Sequence, residues 1–318
     1  MTPGMHRSAA AALLLAALAL RAGASAPAPL LRSDLAAPPE SIRREALAAV
    51  DRACDAIREG LDRDGAVRDP AGESPQDGGG ALFPAAALAD PAAPDPLLAA
   101  ALARCADTLA RPWDAGRTRD AAYLLLGAAW ARLEPPAGLV DRLAKTDLSA
   151  LGVADRALAL VALDSFGADT AAGWDALARR AAPAAPALSD VAAAALARAA
   201  RSRRLGGDGA SPDVLAHVRW LAARLHLVYG GEADPATPLD PAAALLCTVL
   251  ASSLPRHALA ADPGLFPWDW RNHMANRLVV SQTLDPGTFN PGWDGGASGA
   301  PRALATTQAV LALRLLAQ

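Results

Sequence analysis

Two kinds of apolar pattern take turns along this chain. In 41–62, Ile42, Ala46, Val50, Cys54, Ile57 and Leu61 recur at steps of three or four. Arg43, Asp51, Arg52, Asp55, Arg58 and Glu59 fill the other side. In 212–228, Val214, Val218, Leu221, Leu225 and Val228 make a stripe, with Asp213, His217 and Arg224 opposite. This spacing predicts amphipathic helices that cover a core with one face and meet water with the other. Shorter segments of the same kind fall near 96–110, 136–145, 169–181 and 269–283. Between them lie stretches that are apolar nearly all round, at 121–133, 156–163, 191–200, 242–250 and 303–316, with 81–89 as a short addition. A helix with no polar face has neighbours on every side, so these segments are expected to be internal.

Ala and Leu dominate, and β-branched and aromatic residues are few, which favours helix over strand. The predicted fold class is therefore all-α. Pairs of an outer and an inner helix bury little alone and share a continuous core when stacked. The alternation predicts an α/α toroid of about six helical hairpins, an inner apolar ring inside an outer amphipathic one. An open superhelix of hairpins is the alternative. Asp240-Pro241 reads as an N-cap with Pro at the first helical position, and Ser189-Asp190 and Asp155 as further helix starts. The loops at 63–80, 230–239 and 284–301 lie inside predicted pairs or between adjacent ones, so 41–318 reads as a single domain.

The first residues bear on compartment. His6 and Arg7 precede an apolar run from Ala9 to Leu20, followed by Ala24-Ser25-Ala26. That is the layout of a secretory signal, with cleavage expected near Ala26. The run is too short to cross a hydrocarbon core of ~30 Å as a helix. Residues 27–40 read as a flexible lead-in. The mature chain is expected to be exported, periplasmic or extracellular, without a transmembrane segment. An uncleaved anchor is the alternative.

Charge and cysteines narrow the partners. A formal net charge of −3, with no basic block, argues against nucleic acid. Cys54, Cys105 and Cys247 each sit in a predicted helix among apolar neighbours. Buried thiols are the first expectation and one disulfide the second. No C-x-x-C occurs and no His stands at ligand spacing from a Cys, so neither a metal nor another cofactor is expected.

The C-terminal stretch is the most specific. It runs from Trp270 through His273, Asn276 and Leu278 to Gln282, then Asp285-Pro-Gly287-Thr-Phe289, then Gly292-Trp293, and on into the segment ending at Leu313. This resembles the repeat of squalene–hopene cyclases and protein prenyltransferases. In that repeat an outer helix ends in Gln, a turn carries Gly-x-aromatic, and an apolar inner helix follows. The matching positions are Gln282, Gly287, Phe289 and the helix containing Thr306–Leu313, over about 50 residues. A degraded copy lies at 61–67, with Asp64-Gly65 kept. The resemblance implies the α/α toroid, and structural roles for Gln282, Gly287 and Phe289.

The family's chemistry does not follow. The D-x-D-D motif with which class II terpenoid cyclases protonate an alkene does not occur, and only 4% of the chain is aromatic, too little to line a carbocation path. The Asp, Cys and His that hold zinc in prenyltransferases have no matching pattern here. G-x-S-x-G and a phosphate loop are absent as well. Asp120 and Asp155 stand near predicted inner-helix starts with Asp190 and Asp240, where a ring would bring them to one mouth. Each also reads as an ordinary helix cap. Trp268, Asp269, Trp270, Trp293 and Asp294 place Trp beside Asp in loops, a way to stack a sugar or grip a peptide, or simply to plug helix ends. The sequence therefore favours a non-catalytic binding or scaffold module for an unidentified protein, glycan or lipid. The alternative is a carbohydrate-active or isoprenoid-acting enzyme using Asp residues at the toroid mouth.

Overall fold

A computed structural model of the chain describes residues 40–59, 112–131, 134–179, 187–225, 240–254, 267–286, 291–294 and 302–317. The expected signal, the lead-in up to residue 39, the helices near 81–89 and 96–110, the partial repeat at 61–67, Cys105, Gly287 and Phe289 lie outside them.

The described residues form ten α-helices, one short 3-10 turn and two two-residue strands. In chain order the helices are α1 (Glu40–Glu59), α2 (Ala115–Ala131), α3 (Leu139–Lys145), α4 (Val153–Ser165), α5 (Ala171–Ala178), α6 (Leu188–Arg204), α7 (Pro212–Arg224), α8 (Pro241–Ser253), α9 (Pro267–Val280) and α10 (Arg302–Leu316). The 3-10 turn Leu148–Ala150 joins α3 to α4. Strands β1 (Thr283–Leu284) and β2 (Pro291–Gly292) pair antiparallel between α9 and α10, Thr283 opposite Gly292.

The two helices whose stripes the sequence sets out, α1 and α7, bury those faces. In α1, Ala46, Ala49, Val50, Ala53, Cys54 and Ile57 enter the core. In α7, Val214, Val218 and Leu221 do so, with Leu225 just beyond its end. The even-numbered helices α2 to α10 are enclosed on nearly all sides. In α8, all twelve residues from Pro241 to Ser252 are buried. Ala192, Ala193, Ala195, Ala197 and Ala199 of α6 are fully buried too, and such small side chains let helix backbones approach closely.

These internal helices are neighbours in sequence order: α2 packs on α4, α4 on α6, α6 on α8, and α8 on α10. Helices α6 and α8 run in parallel. At one end, Asp240 of α8's cap adjoins Ser189 and Asp190 of α6. At the other, Arg203 at the end of α6 donates to the Ser253 carbonyl at the end of α8, at 2.7 Å. The amphipathic helices lie against this row: α3 on α2, α5 and α7 on α6, and α9 on α10. The first helix, α1, packs on both members of the last pair, α9 and α10.

Helix starts differ in part from the sequence expectation. Asp240 is the N-cap of α8, accepting from Ala242 N at 3.0 Å and Ala243 N at 3.3 Å. Asp190 is not a cap; α6 begins two residues earlier, with Ala187 in that position. Asp155 also lies inside its helix, in the first turn of α4, where Gly152 holds the cap position. Asp120 stands further in still, because α2 starts six residues before the apolar run. Arg117 N donates to Asp114 Oδ1 at 2.9 Å there, so Asp114 does the capping. The apolar pattern marks where burial begins, and a helix can start a turn or more before that.

Candidate functional site

Four polar side chains of the internal row, Asp120, Tyr123, Asp155 and Gln308, gather where α2, α4 and α10 meet. Asp120 and Tyr123 are three residues apart, so they share one face of α2. The Tyr123 hydroxyl accepts from Gln308 Nε2 of α10 at 2.5 Å and faces Asp155 Oδ1 of α4 at 3.5 Å, the outer limit of a hydrogen bond. Tyr123 is wholly buried, Gln308 is 2% exposed and Asp120 is 7% exposed. Asp155 and Arg119 are half-buried and lie toward solvent. Three buried atoms here bond to no other group: Asp120 Oδ1, Gln308 Oε1 and Arg119 Nε.

Electrostatics follow from that burial. Desolvation pushes the Asp120 carboxyl up to about 7, against the pull of the Arg119 guanidinium and with added repulsion from Asp114 and Asp155. Burial raises Asp155 as well, while Arg119 and the Tyr123 hydroxyl draw it down. Tyr123 is raised well above its usual range by burial and by the Asp155 charge. Two carboxyls thus share one partly dry corner with a single guanidinium. Asp120 therefore titrates near neutral pH, and it can donate or accept a proton there.

The structure thus brings Asp120 and Asp155 together and adds Tyr123, Gln308 and Arg119, which sequence reasoning missed. A signal was present. Tyr123 and Gln308 are polar interruptions in stretches otherwise built of Ala, Leu and Val, and a polar residue on an all-round apolar helix needs a partner.

The Trp-Asp residues are placed separately. Trp268, Asp269 and Trp270 lie in the first turn of α9. Trp293 is 1% exposed; its indole N–H donates to the Leu278 carbonyl at 2.7 Å, and its backbone N–H to Thr306 Oγ1 at 3.1 Å. It therefore fills the angle between α9 and α10. Asp294 is exposed, pairs with Arg302 and accepts from Thr283 Oγ1 at 3.0 Å. Arg302 also donates to the Thr283 carbonyl at 2.7 Å, which ties the strand pair to the start of α10. A Cβ at Gly292 would come within 2.7 Å of Thr306 Oγ1, so any larger residue there forces that hydroxyl to shift.

Gln282 follows α9 and reaches α1. Its Nε2 donates to the Ala49 carbonyl at 2.9 Å, and its Oε1 accepts from Arg52 Nη2 at 2.8 Å and Nε at 3.1 Å. Cys54 and Cys247 are buried free thiols, and burial raises both. Among the described residues no three His, Cys, Asp or Glu side chains gather as a metal site would need. Among them, too, no helix is long and apolar enough to cross a membrane. Comparison of the sequence with family models and with curated proteins gives no match.

Proposed function

We propose that this chain is an exported α/α toroid, related to the cyclase and prenyltransferase repeat, that binds a small ligand at the mouth formed by its inner-helix starts. The ring closure in this reading is supported by the first helix packing on the last pair and by the Tyr123–Gln308 bond between the first and last described inner helices. Export is supported by the sequence alone, through the charged, apolar and small-residue order of 1–26.

The observation that carries the binding reading is the set of buried, unbonded atoms at Asp120, Gln308 and Arg119. A buried polar atom left unbonded costs about 1–3 kcal/mol. Three of the five such atoms among the described residues lie at this one corner, which favours a role that uses them. The test is to express the full chain, recover the mature form and compare its native and denatured masses. A difference of a few hundred daltons, lost on Asp120→Asn, supports binding at this corner. Equal masses in protein taken directly from its source compartment, with no ligand detected on extraction, would sink it.

A second reading is a hydrolase acting on carbohydrate. It is favoured by one observation, a carboxyl lifted to about 7 beside another carboxyl, the pairing that general acid–base work needs. In that reading Asp120 is the acid and Asp155 the base or nucleophile. Turnover of a glycoside that vanishes in both Asp120→Asn and Asp155→Asn decides for it.

A further inference from the structure

Asp120 is a buried carboxyl set at a joint between helices. It lies one turn before Tyr123 on the same face of α2. Tyr123 in turn carries the Gln308 bond that ties α2 to α10. Asp120 Oδ1 has no exposed surface and takes no hydrogen bond. From this arrangement we propose that Asp120 is a proton-operated latch: protonated, it lets the corner of α2, α4 and α10 close, and ionised, it drives that corner open while α6 stays packed. The latch goes beyond the binding reading and works whether or not a ligand binds at the corner.

The charged groups around the carboxyl do little to hold it ionised. Arg119 attracts its charge most and Arg117 less, while Asp114 and Asp155 repel it. The other described charges on the elements packed against α2 are engaged elsewhere. On α3, Asp141 and Lys145 are exposed, and Arg142 lies over the Trp113 ring. On α4, Arg156 donates to the Leu148 and Ser149 carbonyls, and Asp164 accepts from Thr170 and Trp174. The 3-10 turn brings only its exposed cap, Asp147, which accepts from Ser149. On α10, Arg302 pairs with Asp294, and Arg314 reaches the Cys54 sulfur. Among the described residues no cation bonds to Asp120 Oδ1.

With its proton, Asp120 is neutral and rests in the core at the cost of one unmade bond. Without it, Asp120 is a buried charge whose Oδ1 has no donor, which costs far more and is relieved by reaching water. Water lies on the side of Arg119 and Asp155, both half-buried. Turning that way shifts the start of α2, and Tyr123, one turn on, shifts with it. The Tyr123 hydroxyl then leaves Gln308 Nε2, and the joint between α2 and α10 opens. Helix α6 contributes no side chain to this cluster, so its packing on α8 survives the change. Burial lifts the carboxyl to about 7, so the latch releases as pH rises through neutrality.

The test is amide hydrogen exchange of the full chain, read by mass spectrometry from pH 5.5 to pH 8.5 and corrected for the intrinsic rate at each pH. The expected result is a tenfold or greater loss of protection in α2 and α10 across this range, with α6 serving as the unchanged reference inside the same molecule. Asp120→Asn, which carries no titratable proton, should remove the difference. In the unaltered protein, carbon-13 NMR of the Asp120 carboxyl should give a titration midpoint within one pH unit of the midpoint for α10 exchange, so the test does not depend on the variant folding. Protection in α10 that is equal at both ends of the range overturns the latch. So does a loss in α6 that matches α10, because the whole fold is then weakening rather than one corner opening. A pH difference that survives Asp120→Asn, or a carboxyl midpoint more than one unit from that of α10, also overturns it. None of these outcomes touches the mass comparison that tests ligand binding.

Discussion

Gln282 donates from Nε2 to the carbonyl of Ala49, a residue 233 positions away, at 2.9 Å. The same amide accepts from Arg52, so one side chain just beyond α9 holds both the backbone and a guanidinium of α1. The bond joins the first described helix to the last pair.

Gln282→Ala should therefore destabilise the protein by roughly 1–3 kcal/mol, since it removes a bond to a backbone carbonyl and two charge-assisted bonds. Gln282→Glu keeps the acceptor for Arg52 and loses the donor to Ala49, so it should lie between the two. Urea unfolding of the three proteins measures this. Equal midpoints for Gln282→Ala and the parent would show that the clasp contributes nothing.

Trp293 offers a cleaner single bond. Trp293→Phe keeps most of the buried ring and deletes the N–H that reaches the Leu278 carbonyl. The expected cost is about 0.5–1.5 kcal/mol, because the carbonyl loses the indole donor and keeps the Ser281 hydroxyl, which donates to it at 3.0 Å. Trp293→Ala should cost more, on the order of 3–5 kcal/mol, through the cavity it opens. Thermal melts followed by circular dichroism give the order, and a Phe variant as damaged as the Ala variant would contradict it.

Acid and neutral stability should differ because of Asp120. Its carboxyl is raised from 3.8 to about 7 in the folded chain, chiefly by burial. Between those two values the folded state holds a proton that the unfolded state releases. This contribution is complete below pH 3.8 and is lost as pH rises to about 7, at a slope of at most about 1.4 kcal/mol per pH unit. Asp155, Asp164 and Asp240 are also raised, so they act in the same direction. Urea midpoints recorded from pH 4.5 to pH 8 should fall, and Asp120→Asn should flatten the curve and raise stability at pH 8. A midpoint that climbs across this range in the parent would refute the assignment.

Asp240 and Asp190 look alike in sequence and should behave differently. Asp240→Ala removes the cap of α8 and leaves two buried N–H groups without an acceptor, a loss of about 1–2 kcal/mol. Asp190→Ala removes a first-turn charge from α6 that caps nothing, where the helix dipole is worth ~0.3–1 kcal/mol. That smaller loss is partly offset, because the Asp190 charge repels Asp240. The difference between the two melting points is the measurement, and a loss for Asp190→Ala equal to that for Asp240→Ala would show that both residues cap.

The sequence by itself determined the all-α class, the position of the described helices to within about a turn apart from the start of α2, and the faces that α1 and α7 turn to the core. These are local properties: the apolar period of a helix is set by residues three and four apart, and it reads the same whatever lies beyond. The sequence also singled out Asp120, Asp155 and Gln282. It could not say that Asp114 rather than Asp120 begins α2, because the capping carboxylate lies upstream of the apolar run that marks the buried part of the helix. Nor could it join Asp120 and Asp155 to Tyr123 and Gln308. The Tyr123–Gln308 bond spans 185 positions, and no periodicity links residues so far apart. Only the packing of α2, α4 and α10 decided that meeting. Burial there lifts an ordinary aspartate carboxyl to about 7.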